Sequence, residues 1–239
     1  MTLFWTRTWD ALAGALFPTA CVSCGELIRA FDPPLCPECW DRLPVIGEIS
    51  CLCGCPLSNP GDGECGRCRR GRSPILEGAA LGVYAGPLRD CVVALKYHGR
   101  HRTAERLARR LSGVERCRGI LGASSVVIAV PLHPEREGAR GFNQAELLAR
   151  ALARDAGLKV SRGLIRTRNT PSQTDLSARA RRRNVRNAFR VKPGANLGGA
   201  AVVLVDDVIT TGATLRECAQ TLLEAGAREV RSITVARAE

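Results

Sequence analysis

The chain has 239 residues, of which 45% are hydrophobic and only 4% aromatic, and its formal net charge at pH 7 is +12. The hydrophobic fraction excludes a disordered chain, the low aromatic content disfavours a base-stacking surface, and the positive charge indicates polyanionic partners such as diphosphates or nucleic acid. No segment reaches the ~18 apolar residues that a membrane-spanning helix needs, so we expect no membrane span and a cytoplasmic location.

The first predicted element is a short amphipathic helix over residues 1–20. Its apolar run from Leu3 to Phe17 lacks a basic leader and is interrupted by Arg7 and Asp10, which argues against a targeting signal. We expect this helix to pack on the body of the protein. Docking of a partner protein is the alternative use of its aromatic side chains.

Residues 21–72 form the second predicted unit, a cysteine-rich module. The chain has 12 cysteines, and nine of them lie between Cys21 and Cys68. Pairs with the spacing CxxC expose two sulfurs from one turn and are typical of tetrahedral zinc sites. The predicted zinc ligands are Cys21, Cys24, Cys36, Cys39, Cys53, Cys55, Cys65 and Cys68. Cys51 competes with Cys55 for one place, and both two sequential ribbons and a cross-brace fit the spacing.

After a basic linker, residues 78–239 alternate between strand and helix patterns. Apolar and β-branched runs predict strands at 78–85, 125–130, 158–166, 189–191, 201–205 and 229–236. Helical patterns cover 87–112, with a break near Lys96–Gly99, then a stretch ending near 155, then 177–187, and a last stretch ending near 225. This alternation predicts an α/β fold with a mainly parallel sheet flanked by helices.

The segment AVVLVDDVITTGATL, residues 201–215, combines a strand with a predicted phosphate site. Its apolar run suits a strand buried on both faces, and Asp206 and Asp207 follow where that strand is expected to end. The small residues after them can turn backbone N–H groups toward a phosphate: Thr210, Thr211, Gly212, Ala213 and Thr214. The acidic pair suits a vicinal diol beside that phosphate, as in a ribose phosphate. An ordinary turn between strand and helix is the alternative.

Basic residues near two other strand ends are candidate contacts for a diphosphate. Ligands of such sheets lie outside the carboxyl ends of the strands, so the loop after Val130 borders the same crevice as Asp206. Within that loop, Arg140 stands in a basic, glycine-punctuated stretch. Lys96 is the second candidate, and a solvated basic face is the alternative interpretation. The arginine-rich segment 166–186 is predicted to form a mobile loop and a basic helix that could close over the crevice.

The acidic pair and the TTGAT loop resemble the PRPP-binding signature of type I phosphoribosyltransferases. This resemblance implies that Asp206 and Asp207 hold the ribose hydroxyls of PRPP, that Thr210 to Thr214 hold its 5′-phosphate, and that Mg²⁺ is required.

Three further groups of segments, together with the cysteine knuckles, resemble the ComF family over nearly the whole chain: LKYHG at 95–99, VPLHP with RGFNQAELLA at 130–149, and TPSQ, LS and RNV within 170–185. One departure is Ser50, which stands where the family has the first cysteine of its second cluster.

The ComF resemblance implies a role in handling DNA taken up during natural transformation, with single-stranded DNA as a partner. We expect a phosphoribosyltransferase, that is, a glycosyltransferase that moves the phosphoribosyl group of PRPP to an acceptor that the sequence does not identify. The alternatives are a non-catalytic, PRPP-responsive protein that binds single-stranded DNA, and an adaptor that docks a DNA-translocation protein. The oligomeric state is not predicted.

Overall fold

A computed structural model describes residues 19–28, 34–47, 51–55, 57, 64–69, 73–98, 101–169 and 183–238. The predicted N-terminal helix lies outside these ranges up to residue 18, and so does 170–182 of the arginine-rich segment. The elements are, in chain order, β1 (Thr19–Ala20), β2 (Leu27–Ile28), α1 (Pro37–Asp41), α2 (Gly66–Arg69), β3 (Glu77–Val83), α3 (Gly86–His98), α4 (His101–Ser112), α5 (Glu115–Gly122), β4 (Val126–Ala129), α6 (Pro134–Arg140), α7 (Gln144–Ala156), β5 (Lys159–Ser161), β6 (Leu164–Arg166), β7 (Phe189–Val191), β8 (Ala201–Ile209), α8 (Ala213–Glu224) and β9 (Glu229–Arg237).

The centre of the fold is a five-stranded sheet in the order β3-β9-β8-β4-β5, and every neighbouring pair is parallel. This topology confirms the predicted α/β class. β8 lies in the middle, and its first five residues, 201–205, are buried. Pairing with β9 continues through Asp206↔Thr234 and Val208↔Ala236, so the acidic pair lies inside the strand and not after its end.

Several boundaries differ from the sequence-based prediction. The strand expected over 158–166 divides into β5, which joins the parallel sheet, and β6, which pairs antiparallel with β7. The loop expected after Val130 contains α6, which Pro134 starts and Gly141, with a φ of 82°, ends. Thr19 and Ala20 form β1 instead of the end of a helix. Helix α5 had no counterpart in the prediction, whereas the break near residue 98 does separate α3 from α4.

Two hydrophobic cores lie on the two faces of the sheet. The first packs α3, α4, α5 and α7 against side chains such as Val203 and Ile233. The second packs α8 and the β6–β7 hairpin against Val202 and Leu204. Adjacent residues of β8 therefore point into different cores, as strand alternation requires. Among the described residues, none of the helices combines the length and apolarity that crossing a bilayer requires.

The cysteine-rich module packs into the first core. Its Leu35, Trp40 and Leu43 are at most 7% exposed and belong to the same cluster as Leu88 of α3. The guanidinium of Arg106, from α4, lies 4.1 Å from the centroid of the Trp40 ring. The module and the sheet thus share one core, and the boundaries predicted between them stay a prediction.

The same module covers the free edge of β3. The Ile46 N–H donates to the Leu81 carbonyl at 2.9 Å, and the Val83 N–H donates to the Pro44 carbonyl at 2.9 Å. A β-carbon at Gly82 would collide with the Pro44 carbonyl oxygen, so the close approach requires glycine. An unpaired sheet edge is a template for aggregation, and this cover removes it on the β3 side.

Candidate functional site

Polar side chains converge on Asp207 at the carboxyl end of β8. Its Oδ2 accepts from Lys96 Nζ at 3.1 Å and from Gln144 Nε2 at 3.2 Å, while its Oδ1 accepts from the Val208 N–H at 2.8 Å. Lys96 comes from the last turn of α3, and Gln144 is the first residue of α7. Burial opposes the charge on Lys96, but the Asp207 carboxylate outweighs it and raises the pKa of the ammonium group. Lys96 is therefore a cation in this site.

Asp206 leaves β8 on the face opposite to Asp207, because adjacent strand residues alternate, but at this end of the sheet its carboxyl still interacts with that of Asp207. Its Oδ1 accepts from the Asp207 N–H at 2.8 Å. Burial, followed by repulsion from Asp207, raises the pKa of the Asp206 carboxyl well above its usual range. Such a carboxyl keeps its proton to a higher pH and releases it when a cation or hydroxyl donors arrive.

The loop between β8 and α8 has the form of an anion site. Gly212 precedes α8 in the left-handed conformation, with a φ of 72°, and has no side chain to cap the helix, while Thr211 Oγ1 accepts from the Ala213 N–H at a long 3.4 Å. Arg216 Nη2 donates to the Thr211 carbonyl at 2.8 Å, which ties the loop to the first turn of α8. The N-terminal amides of a 12-residue helix thus border this loop, where they can donate to a phosphate.

The RGFNQ segment, residues 140–144, joins three elements beside Asp207. Asn143 caps α7 by accepting from the Ala145 N–H at 3.0 Å, and its Nδ2 donates to the Val130 carbonyl at 3.0 Å. Arg140 Nη1 donates to Gln144 Oε1 at 2.7 Å. The end of β4, the end of α6 and the start of α7 are therefore held together at this point.

All these elements border one cleft of about 490 Å³. The predicted ligand contacts that line it are Lys96, Arg140, Asp206, Asp207, Thr210, Gly212, Ala213 and Thr214, whereas Thr211 does not. Sequence reasoning missed Tyr84, which the parallel pairing of β3 with β9 brings to the cleft wall. Arg166, expected at the end of a strand and at the start of the arginine-rich segment, ends β6 and is only 8% exposed, so it also borders the cleft. Burial, reinforced by Arg136, lowers the pKa of Arg166.

The first cysteine cluster lies in the module that covers β3. The Sγ atoms of Cys21, Cys24, Cys36 and Cys39 lie within 4.8 Å of one another. Although burial opposes it, hydrogen bonds from the Cys24 and Cys36 amides lower the pKa of the Cys21 thiol to about 6. Although the Cys39 amide opposes it, burial and the neighbouring Cys24 thiol raise the pKa of Cys36 to about 12. The convergence of four sulfurs fits a tetrahedral zinc ion, which would hold them as thiolates.

The second cluster contains Cys51, Cys53, Cys65 and Cys68, again within 4.8 Å. The two clusters are therefore sequential ribbons and not a cross-brace. The predicted ligand Cys55 lies outside this group, and Cys51 lies within it, because a turn closed by the Gly54 N–H and the Cys51 carbonyl, at 2.7 Å, brings Cys51 beside Cys53.

A buried arginine supports the presence of a metal at the second cluster. Arg237, at the end of β9, donates from Nη2 to Cys53 Sγ at 3.3 Å. Its Nε and Nη1 are also buried and have no hydrogen-bond partner among the described residues. Four thiolates on one zinc ion carry a net negative charge, which suits this guanidinium. The residues thus fit a zinc ion.

Two family matches agree with these two parts of the chain. Residues 12–69 match the double zinc ribbon domain family, and residues 139–239 match the phosphoribosyl transferase domain family. Among solved structures, glutamine PRPP amidotransferase from B. subtilis is 27% identical, with a TM-score of 0.37, over 56% of this chain and 26% of that one. The chain therefore spans about a quarter of that enzyme.

Relatives of known name match over most of the chain. DNA utilization protein YhgH of Salmonella typhimurium is 36% identical over 90% of this chain and 95% of that protein. Competence protein F of Haemophilus influenzae is 30% identical over 91% and 90%, and competence protein ComFC of Bacillus subtilis is 30% identical over 86% and 85%. The chain therefore belongs to the ComF family, which includes these proteins, and it joins a double zinc ribbon to a phosphoribosyltransferase fold.

Proposed function

We propose that the cleft at the carboxyl end of β8 binds PRPP together with Mg²⁺. The observation that carries this proposal is the convergence in one cleft of an acidic pair, the loop before α8 and the cations Lys96 and Arg140. PRPP presents three matching groups: a ribose diol, a 5′-phosphate and a diphosphate. Each group of the ligand thus has a chemically suited partner.

In this proposal the carboxylates of Asp206 and Asp207 accept hydrogen bonds from the ribose hydroxyls, and residues 210–214 bind the 5′-phosphate. Lys96 and Arg140 face the diphosphate. Because Lys96 contacts Asp207 at 3.1 Å in the structure, a diphosphate that attracts Lys96 also opens Asp207 to a hydroxyl. Mg²⁺ prefers oxygen ligands and would neutralise the diphosphate when bound.

We further propose that the cleft supports phosphoribosyl transfer. The bond between the anomeric carbon and the diphosphate oxygen breaks, and diphosphate leaves with the electron pair. A nucleophile of the acceptor forms the new bond to that carbon and gives up a proton. Positive charge on the ring is stabilised by Asp206 and Asp207, and negative charge on the leaving group by Lys96 and Arg140.

A second role, binding of single-stranded DNA, is supported by the net charge of +12 and by the names of the relatives. Phosphate contacts release counterions, so we expect DNA affinity to fall steeply as salt rises. Flat affinity between low and physiological salt would contradict this role. Docking of a DNA-translocation protein and a cytoplasmic location stay predictions.

Calorimetric titration of the zinc-loaded chain with PRPP, with and without Mg²⁺, tests the primary proposal. We expect Asp207→Asn to weaken binding by about 10- to 100-fold, because a hydrogen bond to a charged group contributes about 1.5–3 kcal/mol. Asp155→Asn, on the exposed end of α7, is the matched control. Absence of PRPP binding, or binding that Asp207→Asn leaves unchanged, would refute the proposal.

A diphosphate-release assay separates transfer from binding alone. Bound PRPP that releases no diphosphate with any candidate base, or with DNA, favours the non-catalytic alternative. Release that depends on the acceptor and is lost in Asp206→Asn supports transfer, because the carboxylate contributes to stabilising the cationic ring.

A further inference from the structure

We propose that Gln144 is a positioning residue that keeps the Asp207 carboxylate aligned for the ribose hydroxyls after Lys96 has moved to the diphosphate. The inference rests on the proposed function and assigns a role to Gln144 of the RGFNQ segment, residues 140–144.

The amide of Gln144 is held at both ends. Its Oε1 accepts from Arg140 Nη1 at 2.7 Å, so its NH₂ group is the end that donates to Asp207 Oδ2 at 3.2 Å. If the amide were flipped, its NH₂ group would face the N–H donors of Arg140, and its oxygen would face the carboxylate oxygens of Asp207. Gln144 is 5% exposed, so water cannot easily replace either bond. The side chain therefore has one productive orientation.

The backbone around Gln144 is fixed as firmly as its side chain. Gln144 is the first residue of α7, directly after the cap Asn143, whose Nδ2 bonds to the Val130 carbonyl at 3.0 Å. The left-handed Gly141 ends α6 just before it. The whole segment thus holds one amide against one carboxylate.

The Gln144 amide becomes necessary when Asp207 loses its contact with Lys96 and accepts a ribose hydroxyl. Among the described residues, three donors contact the carboxylate: Lys96, Gln144 and the Val208 N–H. A carboxylate offers about four lone-pair sites, so one site is open and the departure of Lys96 frees a second one for the ribose diol. Asp207 is 6% exposed, and a buried carboxylate without a side-chain donor would rotate or take up a proton. Gln144 is the side-chain donor that stays, together with the Val208 N–H.

Substitution of Gln144 in the full, zinc-loaded chain tests the proposal through two ligands. PRPP carries the diol, whereas inorganic pyrophosphate does not. We expect Gln144→Met, which keeps the side-chain length, to weaken PRPP binding by about 10- to 100-fold and to weaken pyrophosphate binding much less, through the lost acceptor of Arg140 alone. Gln220→Met, on the exposed face of α8, is the control and retains both affinities.

The pH profile of Gln144→Glu gives a readout that a merely structural role would not change. At neutral pH the introduced carboxylate faces Asp207 and repels it, but near about pH 5 a protonated carboxyl donates as the amide did. We therefore expect PRPP affinity of this variant to recover as pH falls, unlike that of the wild type. Among the described residues, Arg140 from α6 and Asp207 from β8 contact this position directly, and Lys96 from α3 shares Asp207 with it. Asp206 and Tyr84 act on Lys96, and Arg136 and Arg166 line the same cleft.

The outcomes separate this inference from the proposed function. A wild-type chain that does not bind PRPP removes both. A wild type that binds PRPP, with Gln144→Met equal to it and Gln144→Glu following its pH profile, overturns the role of Gln144 alone. If Gln144→Met fails to fold, the pH series of Gln144→Glu decides.

Discussion

Because the zinc ribbon packs into the first core, truncation of its Leu35 is predicted to lower the free energy of unfolding of the sheet domain as well. Leu35 is 1% exposed and lies in the same cluster as Leu88 and Leu95 of α3. Truncation of a buried leucine to alanine costs about 2–5 kcal/mol, because transfer energy is lost and a cavity is left. Against the ~5–15 kcal/mol of total stability that is usual for a domain, this loss is large. We expect Leu35→Ala to destabilise the sheet domain by about 3 kcal/mol.

Urea denaturation of the zinc-loaded protein, combined with hydrogen exchange, measures this effect. If the core is shared, Leu35→Ala lowers the denaturation midpoint and also the protection of amides in α3 and α4. Leu27→Ala is the matched control, because Leu27 belongs to the same ribbon but is 71% exposed, and surface changes usually stay within about 0.5 kcal/mol. Normal protection of α3 and α4 in Leu35→Ala would refute the idea of one shared core.

Further substitutions test three separate features: the cover of β3, the protonation of Asp206 and the second cysteine cluster. Gly82→Ala should destabilise the protein by about 1–3 kcal/mol, because its β-carbon would collide with the Pro44 carbonyl; an unchanged urea midpoint would contradict this. The native Asp206 holds its proton above the ~3.9 of an unfolded Asp, so stability falls as pH rises through that window. We therefore expect Asp206→Asn to be more stable than wild type at neutral pH and equally stable near about pH 4. An equal gain in stability at both pH values would exclude the raised pKa of Asp206 as the cause. Metal analysis should find two zinc ions per wild-type chain and fewer in Cys51→Ser, whereas Cys55→Ser should keep both.

Features encoded within a few consecutive residues could be predicted from the sequence. The apolar run of β8, the small-residue loop and the start of α8 follow each other directly, so the cleft could be placed before any coordinates. The first cysteine cluster was predicted for the same reason, since each CxxC turn presents its own pair of sulfurs.

Features set by pairing across the sheet could not be predicted in this way. Aspartate disfavours strands, so β8 was expected to end at Val205, but its ladder with β9 continues to Ile209. Tyr84 reaches the cleft only because β3 pairs with β9, and local sequence has no signal for that. The choice of Cys51 over Cys55 likewise depends on the path of one turn and not on spacing.

The contact between Arg237 and Cys53 joins residues that are 184 positions apart, and this separation has a consequence for biosynthesis. A ribosome adds about 5–20 residues per second, so Cys53 is synthesised roughly 10 to 40 s before Arg237. During that interval the thiols of the second cluster lack both their counter-charge and the sheet edge on which they rest. All four sulfurs of the cluster are made early, so the nascent chain would add the positive charge beside this site only at the end of its synthesis.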